Sequence, residues 1–325
     1  MINARSQHTA SVLKSGKVLV CGGRTMVTGL CECELYDPSR EYWNSTTNMR
    51  IPRSGHTASV LLDGQVLIFG GDQLFGSQPK FAELFDPSTE NWTITDDMAI
   101  TRIGHTASVL PNGKVLVIGG SNKGALNTVE LYDPSTKNWI SINTMRYARA
   151  GHTASVLLNG NVLVTGGSNR GNLISAELYD LSTGTWTTIT DMTYPRSGHT
   201  ASMVANSKVL VSGGIQLLDN TNSAELYNIL TKSWITVANM TYGRTQNTAS
   251  VLNTGNILIS GGKYSEHTYN TAEIYDSLTD EWKSTTRMKN ARYLHTASVL
   301  SDGKVFLTGG DNGMRFLTST EIYYP

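Results

Sequence analysis

The stretch His105–Gly120, HTASVLPNGKVLVIGG, constrains this chain more than any other feature, because it returns little altered at six other places. The copies begin at His8, His56, His105, His152, His199, Asn247 and His295, 47 to 49 residues apart, and each ends on a glycine pair, from Gly22-Gly23 to Gly309-Gly310. A period in the forties that alternates short apolar runs with Gly, Asn and Asp-Pro turns predicts four-stranded propeller blades. Helical repeats of that length would show 3.6-residue periodicity and far fewer turn signals. The expected fold is all-β, a propeller of seven blades. The last blade is expected to lack its outer strand, since only six tryptophan-led outer strands are present and Met1–Ala4 leave four residues before Arg5, where other repeats use ten. A repeat that runs from end to end argues for one domain over 1–325, with approximate repeats 5–52, 53–101, 102–148, 149–195, 196–243, 244–291 and 292–325.

The third copy shows how a blade is written. His105 to Leu110 alternates as a strand, Asn112-Gly113 is a tight hairpin turn, and Lys114 to Ile118 is a second, continuously apolar strand. After Gly119-Gly120 comes a polar loop, then Val129 to Tyr132 as a third strand. Asp133-Pro134-Ser135-Thr136 favours a type I turn, and Trp139 to Ile142 is the fourth strand. Elsewhere the turn reads DPSR, DPST, DLST, NILT or DSLT, and the tryptophan recurs as Trp43, Trp92, Trp186, Trp234 and Trp282. The glycine pairs call for positive φ or close backbone approach, and the Trp and Tyr residues suit the wedge between blades.

Three features together resemble the kelch repeat: the glycine pair after an apolar strand, a Tyr or Phe farther on (Tyr36, Phe85, Tyr132, Tyr179, Tyr227, Tyr275, Tyr323), and a Trp six residues past the turn Asp. The TASVL-NG-KVLV-GG wording is similar to the propeller of galactose-oxidase-like proteins. The resemblance covers the whole chain. It implies a fold rather than an activity, because kelch propellers include scaffolds, ubiquitin-ligase adaptors, actin binders and a few enzymes. No copper ligand carries over from galactose oxidase, whose copper site needs a further domain, and the Glu, Asp, His spacing of iron-binding kelch specifier proteins is absent.

Charge narrows the partners. Charged residues make up 16% of the chain and sum to zero, with no basic stripe, which argues against nucleic acid. The apolar runs are strand-sized, so none is expected to span a bilayer, and Met1-Ile2-Asn3-Ala4-Arg5 does not read as a leader. Compartment stays open: three cysteines in one repeat are not a disulfide framework, while the sequons at Asn44, Asn91 and Asn239 are of a kind that arises easily in a chain rich in Asn, Ser and Thr. A structural part of a longer secreted protein is one alternative.

Every repeat places an Arg three residues before the His position (Arg5, Arg53, Arg102, Arg149, Arg196, Arg244, Arg292) and a Glu on its third strand (Glu34, Glu83, Glu130, Glu177, Glu225, Glu273, Glu321). A packing device is made once per repeat and a catalytic site once per molecule, so these are expected to form structural ion pairs, within a blade or between neighbours. The six repeat histidines are expected to be hydrogen-bonded core rather than a metal ring, since zinc needs its ligand atoms within about 2.1 Å of one centre. Cys21, Cys31 and Cys33 are expected to be incidental: Cys21 stands where other repeats have Phe69, Ile118, Thr165, Ser212, Ser260 or Thr308, and Cys33 where they have Ala82, Ala176 and Ala224. No metal and no cofactor is expected. No G-x-S-x-G, H-E-x-x-H or P-loop is present, so no catalytic residue is assigned and the chain is read as a non-enzyme.

Length varies in one place only. Between the glycine pair and the Glu lie nine, ten or eleven residues, whereas Arg to Gly and turn to Trp keep fixed spacings. These loops should ring one mouth of the channel. They carry Arg24, Met26, Phe75, Lys123, Arg170, Leu217, Leu218, Tyr264, His267, Tyr269, Met314, Arg315 and Phe316, the mixture of aromatic, Met and Arg side chains expected of a face that binds a protein or peptide. The rival reading is a saccharide-binding or saccharide-processing propeller, which needs loop carboxylates and aromatics clustered at the channel mouth. The loop carboxylates, Asp72, Asp219, Glu266 and Asp311, come from four different blades.

Overall fold

The computed structural model describes residues 1–73, 78–204, 207–217 and 219–325. In the first blade, strands β1 (Thr9–Val12), β2 (Val18–Cys21), β3 (Cys33–Asp37) and β4 (Tyr42–Ser45) form one antiparallel sheet in sequence order. Five more sheets repeat this four-stranded meander, and the seventh, Thr296–Val299, Val305–Thr308 and Thr320–Tyr323, has three strands. The chain is thus a seven-bladed β-propeller whose last blade has three strands among the described residues.

The apolar runs explain the blade order. Val18-Leu19-Val20-Cys21 and its counterparts are buried on both faces, which a strand achieves only when covered by neighbouring blades on either side. The first strands, TASV, stand nearest the axis, and the fourth strands lie outermost and mostly exposed, the Trp half-buried. Each Trp lies opposite the aromatic of the third strand, as in Tyr36↔Trp43 and Tyr132↔Trp139, with ring centroids 4.9–5.2 Å apart.

The glycine pairs are required by contact as well as by φ. A Cβ on Gly22 would lie 2.7 Å from the Arg53 carbonyl oxygen and 2.8 Å from the His56 ring of the next blade; one on Gly23 would lie 2.6 Å from the Ser6 carbonyl oxygen and 2.9 Å from His8 Cβ. Both residues hold positive φ, 63° and 89°. The first glycine therefore lets the next blade dock, and the second lets its own blade's first strand approach.

All seven Arg–Glu pairs form, each within its own blade, at 2.5–3.2 Å. The guanidinium of Arg149 also donates to the carbonyls of Gly166 (2.6 Å) and Ser175 (3.0 Å), and Glu177 accepts the backbone N–H groups of Arg146 (2.7 Å) and Tyr147 (3.2 Å). One buried charge pair thus joins the incoming linker, the end of the second strand and the start of the third. In the first blade the amides of Ile2 and Asn3 supply the linker's two bonds, to Glu34 at 2.6 and 3.2 Å.

The imidazoles stitch the ring. His56, His105, His152, His199 and His295 each place Nε2 within 2.9–3.1 Å of a threonine hydroxyl in the preceding blade, and His8 closes the circle on Thr296 of the seventh at 3.0 Å. Burial, reinforced by the neighbouring Arg, lowers the pKa of His56, His105, His152 and His295 to about 3, so they are neutral. Asn247 breaks the series, and among the described residues both of its buried amide atoms are unpartnered. Phe306 stacking on Tyr36 at 4.3 Å completes the contact between last and first blades.

The cysteine reading is corrected here. Cys21 and Cys33 are joined in a disulfide, their Cα atoms 4.2 Å apart as registered neighbours on β2 and β3; Cys31 is free. Counting cysteines could not show this, because the pairing follows from strand register: the Phe69, Thr165 or Ser212 position faces the Ala82, Ala176 or Ala224 position across the same two strands.

Candidate functional site

On the face bearing the variable loops, the residues just before each His position form a collar around the channel. Its members are Gln7, Gly55, Gly104, Gly151, Gly198, Gln246 and Leu294, all with φ between 51° and 63°. Backbone bonds run from member to member, among them Gly55 N–H to Gln7 O (3.0 Å), Gly198 N–H to Gly151 O (2.9 Å) and Gln7 N–H to Leu294 O (3.1 Å). Four blades use glycine, the residue that takes this conformation at least cost. The sixth, seventh and first blades put Gln246, Leu294 and Gln7 there instead. A left-handed non-glycine residue costs on the order of 1–3 kcal/mol and is tolerated only where its surroundings enforce it, often at functional sites.

Above the collar stands a second ring, the residue that follows each glycine pair: Arg24, Asp72, Ser121, Ser168, Ile215, Lys263 and Asp311. Each is bridged to the residue immediately after the repeat Arg, as in Ser6↔Arg24, Ser54↔Asp72 and Tyr293↔Asp311. In ring order the sixth, seventh, first and second blades contribute Lys263, Asp311, Arg24 and Asp72, an alternation of charge that falls on the arc where the collar carries side chains. The third, fourth and fifth blades contribute Ser121, Ser168 and Ile215. A cavity of about 550 Å³ opens at this mouth, lined by Gln7, Arg24, Ser54, Asp72 and Leu294 among others. Among the described residues, Arg24 Nε, Asp72 Oδ1, Ser6 Oγ and Gln246 Oε1 are buried without a hydrogen-bond partner. Unpartnered polar groups of this kind cost free energy unless a ligand or water satisfies them.

Aromatic side chains flank the arc. Tyr293 donates its hydroxyl to Asp311 (2.8 Å) and carries the Lys263 ammonium over its ring at 4.9 Å; burial first, then the Asp311 carboxylate, pushes its pKa up to about 12. Phe316 lies under the Arg24 guanidinium, 5.8 Å from it. Beside this arc the loops of the fifth and sixth blades rise as short hairpins, Ile215–Gln216 with Asp219–Asn220 and Lys263–Tyr264 with His267–Thr268. They are tied together by Tyr264 Oη to Asp219 (2.8 Å) and Asn220 Nδ2 to Lys263 O (2.8 Å). Tyr269 packs between Tyr242 (5.4 Å) and His267 (5.1 Å) and against the Arg244 guanidinium (5.2 Å).

The thirteen residues singled out from the sequence thus fall into separate groups. Arg24 and Phe316 lie on the charged arc, and Tyr264, His267 and Tyr269 on the raised hairpins. Met26, Lys123, Arg170, Leu217, Met314 and Arg315 are exposed at loop tips, where Lys123, Arg170 and Leu217 hold positive φ. Phe75 and Leu218 lie outside the described residues. Lys263, Tyr293, Gln7, Gln246 and Leu294 were missed. Part of their signal was present: Gln7, Gln246 and Leu294 stand where four other copies have Gly, Tyr293 where the others have Ser, Ile, Ala or Thr, and Lys263 where Arg24, Asp72 and Asp311 already break a run of uncharged residues.

Fold and site together define a repeat propeller with a polar, unevenly charged channel mouth. The chain belongs to the kelch-repeat family: residues 1–167 and again 145–310 match the KLHDC2/KLHL20/DRC7 Kelch-repeats domain. No curated protein matches the chain significantly. Among solved structures, a novel fungal alcohol oxidase with catalytic diversity among the AA5 family, in complex with copper, superposes with a TM-score of 0.77 and 22% identity, covering 95% of this chain and 71% of that one. At that identity the likeness is one of fold.

Proposed function

We propose that this propeller is a non-enzymatic interaction domain that holds a protein or peptide segment across the channel mouth on the variable-loop face, anchored on the arc of the sixth, seventh, first and second blades. The carrying observation is the alternation Lys263, Asp311, Arg24, Asp72 above a collar whose non-glycine members fall on three of those blades. Alternating donors and acceptors within one mouth suit a chain that carries both signs of charge and many backbone amides, and Arg24 Nε and Asp72 Oδ1, without partners among the described residues, are ready to bond it. The exposed apolar tips, Met26, Leu217 and Met314, supply the surrounding contact area. The non-enzymatic reading is supported by the imidazoles, which are committed to threonines, and by the glycine pairs, which are committed to packing.

Selection from a random peptide display library tests this. The protein should enrich peptides bearing both charge signs. Arg24→Glu and Asp72→Lys should each weaken capture tenfold or more, the loss of one charge-assisted bond at about 1.5–3 kcal/mol. Asn112→Ala and Pro134→Ala, on the opposite face, should leave capture unchanged. Loss from the opposite-face variants but not from the rim variants would refute the placement. One observation favours a second reading: Asp72 and Asp311 share the mouth with Tyr293, so a saccharide is the alternative ligand. A glycan array that responds where the peptide library does not would select it.

A further inference from the structure

We propose that Asn44, Asn91 and Asn239 carry N-linked glycans, and that this propeller is a glycoprotein of an oxidising compartment with sugars on its outer rim. The modification stands apart from the channel mouth. Two independent features point to it. The first is the Cys21–Cys33 disulfide, buried between the second and third strands of the first blade. Another blade fills the same paired positions with Thr165 and Ala176 and keeps the same register, so the fold does not demand the bond. Forming it takes two electrons and two protons from the thiols, which a disulfide-bearing oxidase accepts in secretory compartments and which the thiols of the cytosol give back. A secretory compartment is also where Asn-x-Ser/Thr triplets are read as glycan acceptors.

The second feature is where the triplets fall. All three asparagines are exposed on the outside of the propeller: Asn44 on β4, Asn91 at the start of the second blade's outer strand, Asn91–Asp97, and Asn239 in the link from the fifth blade to the sixth. Among the described residues none of their carboxamides makes a hydrogen bond, whereas Asn127, Asn143, Asn172, Asn222 and Asn270 spend theirs on backbone carbonyls. Transfer forms a bond from Asn Nδ2 to C1 of the first sugar and breaks the bond from C1 to the diphosphate of a polyprenyl-linked oligosaccharide. One Nδ2 proton is released and the polyprenyl diphosphate leaves. Recognition needs the hydroxyl two residues past the Asn, and for Asn44 that group, on Thr46, donates to Glu90 of the second blade at 2.7 Å in the closed ring. Transfer to Asn44 therefore precedes the docking of that blade. The sugars also meet a need of this chain. Charged residues are 16% of it and cancel, so repulsion does little to keep copies apart, and the outer strands are open sheet edges. A bulky, hydrated glycan on such a strand blocks edge-to-edge pairing.

The test uses the protein purified from its own cells and, beside it, the 325-residue chain secreted from eukaryotic cells behind an added cleavable leader. Peptide:N-glycosidase F should lower the mass of both and leave a deamidation mark at Asn44, Asn91 and Asn239, and the denatured, unreduced protein should titrate a single thiol, Cys31. Asn44→Gln, Asn91→Gln and Asn239→Gln together should remove the mass shift and raise self-association at pH 7 by about threefold or more in light scattering, whereas Asn169→Gln, at an exposed asparagine outside any triplet, should do neither. Where the triple variant is not secreted, stripping the glycans from the folded protein with the same enzyme gives the same reading. Three results would overturn the proposal: no loss of mass from the protein of its own cells; three titratable thiols, which would remove the disulfide and the oxidising compartment with it; or self-association that is unchanged when the glycans are gone.

Discussion

Replacing Arg149 by Ala strands a carboxylate that the fold has fully buried. Glu177 would keep the amides of Arg146 and Tyr147 but lose the guanidinium at 2.8 Å, and the carbonyls of Gly166 and Ser175 would lose donors at 2.6 and 3.0 Å. Breaking a buried ion pair by removing one partner costs about 3–5 kcal/mol, a large part of the 5–15 kcal/mol that holds a typical domain together. The seventh blade supplies an internal control. Arg292 and Glu321 form the same pair at 2.7 Å, but the Glu321 side chain is 15% exposed, so water solvates part of the carboxylate once the Arg is gone. Arg292→Ala should therefore cost less than Arg149→Ala, by about 1 kcal/mol or more. The double variant Arg149→Met with Glu177→Leu should recover most of the loss, since both desolvation costs vanish together. Guanidinium-chloride midpoints at fixed slope give all three values. Equal losses at Arg149 and Arg292, or a loss under 1 kcal/mol at Arg149, would refute the view that burial of the carboxylate sets the cost.

Acid should weaken the fold early. The imidazoles of His56, His105, His152 and His295, held at about 3 by burial, titrate near 6.5 once unfolded, so their contribution is complete above pH 6.5 and is lost as pH falls toward 3, at up to about 1.4 kcal/mol per imidazole per pH unit. A thermal midpoint that stays flat from pH 7 to pH 5 would contradict this. Asn247→His should restore the one missing blade-to-blade bond, to Thr200, and stabilise by about 0.5–1.5 kcal/mol; a lowered denaturant midpoint would show that the fifth and sixth blades leave no room for the ring.

Much of the architecture was legible in the sequence, because a propeller writes each of its contacts many times. Seven TASVL–GG units gave the hairpins, seven Arg–Glu spacings gave the ion pairs, and six tryptophans against seven third strands gave the incomplete blade. Those are local facts: strand periodicity, turn chemistry and spacings below about 30 residues lie within one blade and survive being read along a line. The disulfide was hidden because it depends on which residue of the second strand lies opposite which of the third. A one-residue change of register would have separated Cys21 from Cys33.

The channel mouth was decided by ring closure alone. Along the chain, Lys263 and Asp311 are far from Arg24 and Asp72, and nothing in the spacing says that the seventh blade abuts the first; contacts such as the His8–Thr296 bond, the Phe306–Tyr36 stack and the Gln7–Leu294 backbone bond bring those ends together. Closure turns four scattered charges into one alternating arc and sets Leu294 beside Gln7 in the collar. Sequence repeats specify what each blade must be to pack against its neighbours. Which of their exceptions face one another is fixed only when the sheets, each twisted by the chirality of its residues, complete the circle.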